Sequence, residues 1–247
     1  MLHAILSSKS GRLRSGDTVT KWRDVFRNSE DLITATILER LSYLSGVTAW
    51  SILRKALGNT LVNFRVAKLV EIEFWPMWEH EDRKLGVEPD VFMQFDLGDP
   101  VKRYHLIIES KFWGNSQDVN QWAYQLSAYG QLLQTEELEP ADSVVYFGIG
   151  GVKNSVLWRE RMLAELDEEE HFQAANIENL SFGMIGWMEL VKACVETNHS
   201  SPEEERILND MIKGLGLYGY SYIETPRQLE AMKPLQNVEH TLALLSM

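Results

Sequence analysis

The spacing of apolar residues changes along the chain, and the first regular spacing is helical. A helix is predicted from Ser29, a residue type that caps helix N-termini, to about residue 44. Its apolar residues recur every three or four positions, as on a buried helical face. They are Ile33, Ile37, Leu41 and Leu44. A second helix is predicted over about 49–57, ending at Gly58-Asn59, where both residues tolerate a left-handed backbone.

Beyond residue 60 the pattern alternates between strands and helices. Segments rich in valine, isoleucine and aromatic residues, separated by polar loops, are typical of strands. The predicted strands are 65–75, 90–95, 103–112, 144–148 and 180–187. The predicted helices are 117–134, 155–166, 188–197 and 202–213. This order predicts an α/β protein with a mixed central β-sheet flanked by helices.

The chain contains no internal repeat and no linker rich in proline or glycine. Its 247 residues, of which 45% are hydrophobic, are enough to bury one large core. We therefore expect a single domain overall with three parts. These are a basic N-terminal arm at 1–27, a core at 28–187, and a helical C-terminal extension at 188–247 that packs on the core.

Charge is distributed unevenly. The net charge of −12 argues against a protein that coats nucleic acid through bulk electrostatics. Residues 1–27, however, contain six basic and two acidic side chains, a balance of +4, and the remainder therefore has a balance of −16. Two interpretations of this arm stay open: it grips a phosphate backbone, or it is a solvated tail.

Several features predict a cytoplasmic protein that does not enter a membrane. No apolar run approaches the roughly 18 residues that a membrane-spanning helix needs, and the longest near-candidate covers 143–152. Residues 1–14 lack the ordered basic, apolar and small-residue regions of a signal peptide. The single cysteine, Cys194, cannot form an internal disulfide, which is typical of a reducing compartment.

One of the predicted strands has charged residues at its end. Glu109-Ser110-Lys111 follows the continuously apolar run 106–108, so this strand is predicted to be central in the sheet. A two-residue spacing places Glu109 and Lys111 on one face. A tripeptide of this form arises by chance about once in a chain of this length and therefore carries little weight alone. Buried charges are either paired for structure or held for chemistry.

A second carboxylate strengthens the chemical interpretation. Asp90 follows Pro89 at the start of the preceding strand, so two neighbouring strands each offer a carboxylate. Paired carboxylate oxygens suit a hard cation such as Mg²⁺, which takes its other ligands from water and a substrate phosphate. Lys111 would stabilise the charge that develops on that phosphate.

The run Glu88-Pro89-Asp90, a loop, and an apolar strand ending in Glu109-Ser110-Lys111 resembles the signature of the PD-(D/E)xK nuclease superfamily. The resemblance covers roughly 29–150 and implies a restriction-endonuclease-like core. It also implies a Mg²⁺ cofactor, with Mn²⁺ as a substitute. Asp90, Glu109 and the backbone carbonyl of Ser110 would bind the metal, and Lys111 would assist the attacking water.

Two flanking helices match further features of that family. Glu30 shares the inward face of the first helix, which implies an additional catalytic acid and metal ligand. Its alternative role is that of a first-turn acid favoured by the helix dipole. Gln125, four residues before Tyr129, resembles the Gln-x-x-x-Tyr element of the exonuclease-like branch and is expected to orient Lys111 or a phosphate. Gln121, one turn earlier, is a competing candidate, and packing is the expected role of Tyr129.

Other polar and aromatic groups receive more ordinary interpretations. Glu71 and Glu73 are expected on the solvated side of a half-buried strand, and 148–151 is expected to form a turn. The aromatic run 75–78 would either stack on bases or plug a sheet edge. The six histidines show no metal-ligand spacing.

The function expected from the sequence is that of a Mg²⁺-dependent deoxyribonuclease, for which restriction or phage defence is the role that the resemblance suggests. DNA is the expected partner, together with a second copy of the chain or a basic partner subunit. One alternative is a catalytically silent protein of the same fold that binds nucleic acid or protein. A third interpretation is a structural α/β protein in which Glu109 and Lys111 form an ion pair.

Overall fold

The computed structural model describes residues 2–15, 18–112, 114–151 and 155–222. Its strands are β1 (Arg12–Ser15), β2 (Thr18–Lys21), β3 (Ala67–Phe74), β4 (Trp78–His80), β5 (Arg83–Val87), β6 (Val91–Leu97), β7 (Lys102–Ser110), β8 (Ser143–Ile149) and β9 (Leu180–Ile185). Its helices are α1 (Leu2–Leu6), α2 (Trp22–Arg27), α3 (Glu30–Ser42), α4 (Gly46–Leu57), α5 (Val119–Gln134), α6 (Ser155–Leu166), α7 (Glu170–Ala175), α8 (Trp187–Glu196) and α9 (Pro202–Leu217).

Five strands form the central sheet in the order β3-β6-β7-β8-β9. β3, β6 and β7 are antiparallel neighbours, whereas β7, β8 and β9 run parallel. The strongly apolar β7 and β8 lie in the interior of the sheet, as a strand buried on both faces requires. The predicted α/β fold with a mixed sheet flanked by helices is therefore confirmed.

The two faces of the sheet carry separate cores because neighbouring residues of a strand point in opposite directions. On one face, Leu106 and Ile108 of β7 pack with α3, α4, α8 and α9. On the other face, Ile107 packs with α5 and α6. The same alternation sends Glu109 towards α5 and Ser110 towards α3, so both helices contribute to the strand's polar end.

The C-terminal helices α8 and α9 bury Trp187, Leu190 and Met211 in the same core as the sheet. Residues 223–247 of the predicted C-terminal extension lie outside the described part of the chain. Among the helices that the structure describes, none is long and apolar enough to cross a membrane.

Five short elements were not predicted: the hairpins β1–β2 and β4–β5 and the helices α1, α2 and α7. β2 and β5 contain no buried residue, and β4 alternates between buried and exposed residues over only three positions, too few for a sequence pattern to identify. α4 begins at Gly46 and not near residue 49, because Ser45 caps it by accepting a hydrogen bond from the amide of Thr48. The last strand ends at Ile185, since Trp187 already begins α8.

β3 is an edge strand of the sheet, and its pairing with β6 shifts register between Leu69 and Glu71. Glu71 and Glu73 are exposed there, as predicted for the solvated side of the strand. Glu71 accepts a 2.7 Å hydrogen bond from Gln94. A charged, bulged edge of this kind resists pairing with other strands.

Candidate active site

The polar ends of β6, β7 and α3 meet in one cavity of about 480 Å³. Register places Val91 opposite Ile108, so Asp90, just before β6, lies beside Glu109 at the end of β7. Glu30 enters from the first turn of α3. The lining residues are Glu30, Asp31, Trp75, Glu88, Asp90, Glu109, Lys111 and Gln121. The three central predicted residues and Glu30 therefore lie together.

Asp90 is held by Ser110 through one carboxylate oxygen. Its Oδ2 accepts hydrogen bonds from the Ser110 amide at 2.6 Å and from the Ser110 hydroxyl at 2.8 Å. The Ser110 hydroxyl also contacts the hydroxyl of Thr34 on α3. Burial raises the pKa of Asp90, and the hydrogen bonds from Ser110 oppose that rise. This arrangement fixes the carboxylate plane and leaves Oδ1 outside the contact with Ser110.

Glu109 is the most deeply buried acid of the cavity, with 1% of its surface exposed. Its Oε1 accepts a hydrogen bond from the Lys111 ammonium, and its Oε2 accepts one from Gln125 at 3.0 Å. Burial, followed by the charge of Asp90, raises the pKa of Glu109 to about 7, although Lys111 and Gln125 oppose the shift. A cation between the two carboxylates would relieve this repulsion.

Lys111 is a positive charge held among acids. Burial acts to lower its pKa, but Glu109, Glu30 and Asp90 outweigh that effect and the pKa is raised. The ammonium pairs with Glu109 and lies 3.7 Å from Oε1 of Glu30. Lys111 therefore stays protonated at neutral pH, which suits electrostatic stabilisation and not proton abstraction.

Glu30 lies both in the first turn of a helix and in the cavity. It occupies the first turn of α3, after the Ser29 cap, where the helix dipole favours an acid. Its Oε2 accepts hydrogen bonds from the Phe112 amide at 2.7 Å and from the Asn115 side chain at 3.1 Å. These bonds tie α3 to the chain that follows β7 and keep the carboxylate in the cavity.

Gln125 contacts Glu109 and not Lys111, the partner expected from the sequence. It is buried, and its amide nitrogen donates both to Glu109 and to the Glu88 carbonyl at 3.1 Å. The Tyr146 hydroxyl donates to Gln125 Oε1, which fixes which end of the amide faces Glu109. Gln121 lines the cavity instead. The two glutamines therefore have different positions: one supports a carboxylate, and the other faces the space that a substrate would enter.

Sequence reasoning missed three residues that hold the backbone of Glu109 and Lys111. Gln117 donates to the carbonyl of Glu109 at 3.3 Å and to that of Gly150 at 3.2 Å. Trp187 donates from Nε1 to the carbonyl of Lys111 at 3.0 Å. Gly150 has a φ of +75°, and a Cβ there would lie 2.1 Å from the Lys111 carbonyl oxygen. The predicted turn at 148–151 is confirmed only for Gly150 and Gly151, since Gly148 and Ile149 belong to β8, and this bend packs directly against the site.

The two tryptophans of the aromatic run 75–78 lie in different environments. Trp78 is buried and packs against Phe92 and Tyr129, so it serves as the plug. Trp75 lines the cavity with a φ of +51°. Tyr129 is also a packing residue, with its hydroxyl 2.8 Å from Nδ1 of His105.

Two histidines that the sequence keeps far apart meet elsewhere in the fold. Potential ligand atoms of His80, Asp82 and His171 lie within 4.8 Å of one another. The Asp82 amide donates to His80 Nδ1 at 3.2 Å, so the proton of the neutral ring is on Nε2, which lies 3.1 Å from the Ser127 hydroxyl. Both nitrogens of His80 are therefore engaged, as in a structural histidine. His240 lies outside the described residues.

The donor set of the main cavity fits a hard divalent cation. Asp90, Glu109 and Glu30 supply carboxylate oxygens, the ligand type that Mg²⁺ and Mn²⁺ prefer. Burial raises the pKa of both Asp90 and Glu109, and a neighbouring carboxylate adds to the rise in each case: Glu30 for Asp90 and Asp90 for Glu109. The role of the Ser110 carbonyl as a metal ligand stays a prediction.

Comparisons with known proteins do not identify a family. No family model and no solved structure matches the chain. The chain is similar to an uncharacterized protein of Pasteurella multocida (strain Pm70), with 28% identity over 233 residues. That match covers 90% of this chain and 81% of the Pasteurella protein.

Proposed function

We propose that the protein is a Mg²⁺-dependent deoxyribonuclease of the PD-(D/E)xK type, with Mn²⁺ as a substitute cofactor. The observation that carries the proposal is the nearly inaccessible Glu109 carboxylate, which lies beside Asp90 and is paired with Lys111 in a cavity. Structural carboxylates are placed apart or fully paired. Adjacent acids whose pKa values are raised by burial and by a neighbouring carboxylate resemble a site arranged for a metal and a phosphate.

The residues of the cavity have distinct roles in this proposal. Asp90, Glu109 and Glu30 would hold the cation, with the Ser110 carbonyl as a further ligand. When bound, Mg²⁺ lowers the pKa of water and neutralises charge on the phosphate. Ser110 and Gln125 fix the orientations of Asp90 and Glu109 through the hydrogen bonds described above.

Lys111 would act as a fixed cation beside the scissile phosphate. In the reaction, the oxygen of a water molecule forms a bond to phosphorus, and the bond from phosphorus to the 3′ oxygen breaks. The proton of the water passes to solvent, and the leaving 3′ oxygen takes a proton from solvent, so the products are a 5′-phosphate and a 3′-hydroxyl. The Lys111 ammonium, already charged, stabilises the additional negative charge on the phosphate oxygens.

A catalytically silent nucleic-acid or protein-binding module is the second candidate, and the net charge of −12 favours it. The presence of both carboxylates and the half-buried lysine favours the enzyme. Charged groups are costly to bury, and a catalytically silent protein would not need to retain them. We place the enzyme in the cytoplasm, in a restriction or phage-defence role, with DNA and a second copy or a basic subunit as partners.

The test is cleavage of supercoiled plasmid, linear duplex and single-stranded DNA by the purified protein with Mg²⁺, Mn²⁺ or EDTA. Lys111→Ala and Asp90→Ala are compared with Lys192→Ala, which removes an exposed lysine on α8. We expect metal-dependent cutting that the first two variants lose and the control keeps. Thermal melting verifies that each variant is folded. Cutting that survives both site substitutions, or a folded wild type that cuts nothing, would overturn the proposal.

A further inference from the structure

The candidate active site is the middle of a longer groove. A cavity of about 350 Å³ shares Glu30 with it, and another of about 270 Å³ shares Glu88 and Gln121. Each flanking cavity therefore borders the central one at these shared residues. A ligand longer than a single phosphate group can therefore extend to both sides of Lys111.

Each end of the groove presents an arginine. Arg27, the last residue of α2, lines the first flanking cavity with Asn28 and Asn115. Arg83, the first residue of β5, lines the other with Asn120 and Gln121. The groove thus has acids and a paired lysine in its middle and an arginine with amides at either end, and Glu88 and Asp118 also line the end near Arg83.

The two arginines are placed differently from basic residues used for structure. Arg23, in the same helix as Arg27, donates to the Leu6 carbonyl and the Ser8 hydroxyl and so ties the N-terminal elements together. Arg27 and Arg83 are exposed, and Arg83 has its guanidinium 3.9 Å from the centroid of the Tyr124 ring. A guanidinium stacked in this way keeps its N–H groups available for a phosphate.

The end of the groove near Arg27 also holds an unsatisfied donor. Tyr218 is 1% exposed, and its hydroxyl has no hydrogen-bond partner in the described part of the chain. A buried hydroxyl without a partner costs stability unless a ligand provides one. Tyr218 lines the same cavity as Arg27.

We infer that one nucleic-acid strand lies along this groove, with Arg27 and Arg83 binding phosphates on opposite sides of the scissile phosphate. The inference rests on the proposed function for the identity of its ligand. It explains how an acidic protein holds a polyanion: the arginines attract phosphates at the two ends of the groove, and a divalent cation offsets part of the negative charge in the middle. Binding should therefore require a divalent cation.

The experiment measures binding apart from cleavage. Fluorescence anisotropy follows a labelled 20-nucleotide single strand and the matching duplex in Ca²⁺, with EDTA as the comparison. Arg27→Ala and Arg83→Ala are compared with Arg206→Ala, an exposed arginine of α9 paired with Glu203. Each groove variant should lose about tenfold in affinity. Each should also reduce the salt dependence of binding by about 0.7 to 0.9 in the slope of log K against log salt.

The outcomes separate this inference from the proposed function. Weaker binding by both groove variants, with binding by Arg206→Ala unchanged, supports the groove. This holds even if the wild type cuts no DNA, a result that would overturn only the nuclease proposal. If the wild type cuts DNA and both groove variants bind like Arg206→Ala, the groove is wrong and the nuclease proposal stands. A wild type that binds neither nucleic acid in Ca²⁺ overturns the groove.

Discussion

Two buried glutamates, Glu109 and Glu204, show how the same side chain serves different ends in this fold. Both are almost inaccessible, at 1% and 6% exposure. Glu204, on α9, accepts hydrogen bonds from the Ser45 amide at 3.0 Å, from the Ser200 amide at 2.8 Å and from the Ser200 hydroxyl at 2.7 Å. Glu109 has one amide donor and one ammonium, with a second carboxylate nearby.

The two pKa values move in opposite directions because of these partners. Burial acts to raise the pKa of Glu204, but its hydrogen bonds from Ser200 and Ser45 outweigh burial and lower the pKa to about 2. At Glu109, burial and Asp90 dominate and raise the pKa to about 7. Burial alone therefore does not distinguish a structural acid from a functional one. The number of hydrogen-bond donors does distinguish them. Glu109 has fewer donors than a purely structural role would provide.

The largest expected effect is a loss of cleavage when Glu109 is substituted. Glu109→Gln removes a proposed metal ligand and should lower the cleavage rate by about 1000-fold or more. It should leave the melting temperature in EDTA equal to or above that of the wild type, because burial and the charge of Asp90 disfavour the ionised form of Glu109. Cleavage and calorimetric melting of the same preparation test both statements. Unimpaired cleavage would exclude Glu109 from the site.

Glu204→Gln should have the reverse pattern. An amide cannot accept all the hydrogen bonds that Ser45 and Ser200 donate, so the variant should lose about 2 to 3 kcal/mol of unfolding free energy. Its cleavage rate per folded molecule should not change. Urea denaturation followed by circular dichroism gives the first quantity. A large loss of activity in fully folded protein would contradict the structural role of Glu204.

The pH dependence of stability should separate the two acids. The folded-state pKa of Glu204 is below the ordinary value of 4.5, so its contribution is present above pH 4.5 and is lost as the pH falls towards 2. The folded-state pKa of Glu109 is above 4.5, so stability in EDTA should fall by about 2 kcal/mol as the pH rises from 4.5 to 7. Glu109→Gln should reduce this loss of stability between pH 4.5 and 7, and Glu204→Gln should leave it unchanged.

Gln125→Ala should weaken the support of Glu109 and reduce cleavage by about tenfold, as removal of an outer-shell partner does. Gln121→Ala, one turn earlier, tests the competing assignment. We expect its effect to appear mainly in KM, because Gln121 faces the cavity and not the carboxylate. Steady-state kinetics on one oligonucleotide distinguishes the two. Equal changes in kcat and KM for both variants would contradict the difference in their positions.

The smallest effect is expected at the edge strand. Glu73→Gln should change unfolding free energy by less than about 0.5 kcal/mol and leave cleavage unaltered. Burial and the charge of Glu71 raise the pKa of Glu73, yet the side chain is exposed and lies outside the cavity. A strong loss of activity would mean that a substrate extends over this edge.

The sequence was sufficient to predict the elements of the sheet and the neighbouring positions of Asp90, Glu109 and Lys111. Alternation and apolar runs are local properties, and a two-residue spacing determines which side chains share a face. Glu30 was predicted for the same reason, since its helical spacing from Ile33 and Ile37 is local too.

What the sequence did not reveal depends on contacts between distant segments. The bond from Trp187 to the Lys111 carbonyl joins residues 76 positions apart, and the contact between Thr34 and Ser110 joins residues that are equally distant. No local pattern encodes either pair. The partner of Gln125 was missed because the direction of a long side chain depends on Tyr146 and Glu88, which the fold brings around it.

Gly150 has a consequence for reading natural variation in relatives of this chain. A side chain there would collide with the Lys111 carbonyl oxygen and strain a left-handed backbone, so a substitution must displace the strand end that holds Glu109 and Lys111. The residue aligned with Gly150 would therefore record whether a relative has kept the geometry of this strand end, even where the charged residues themselves are still present.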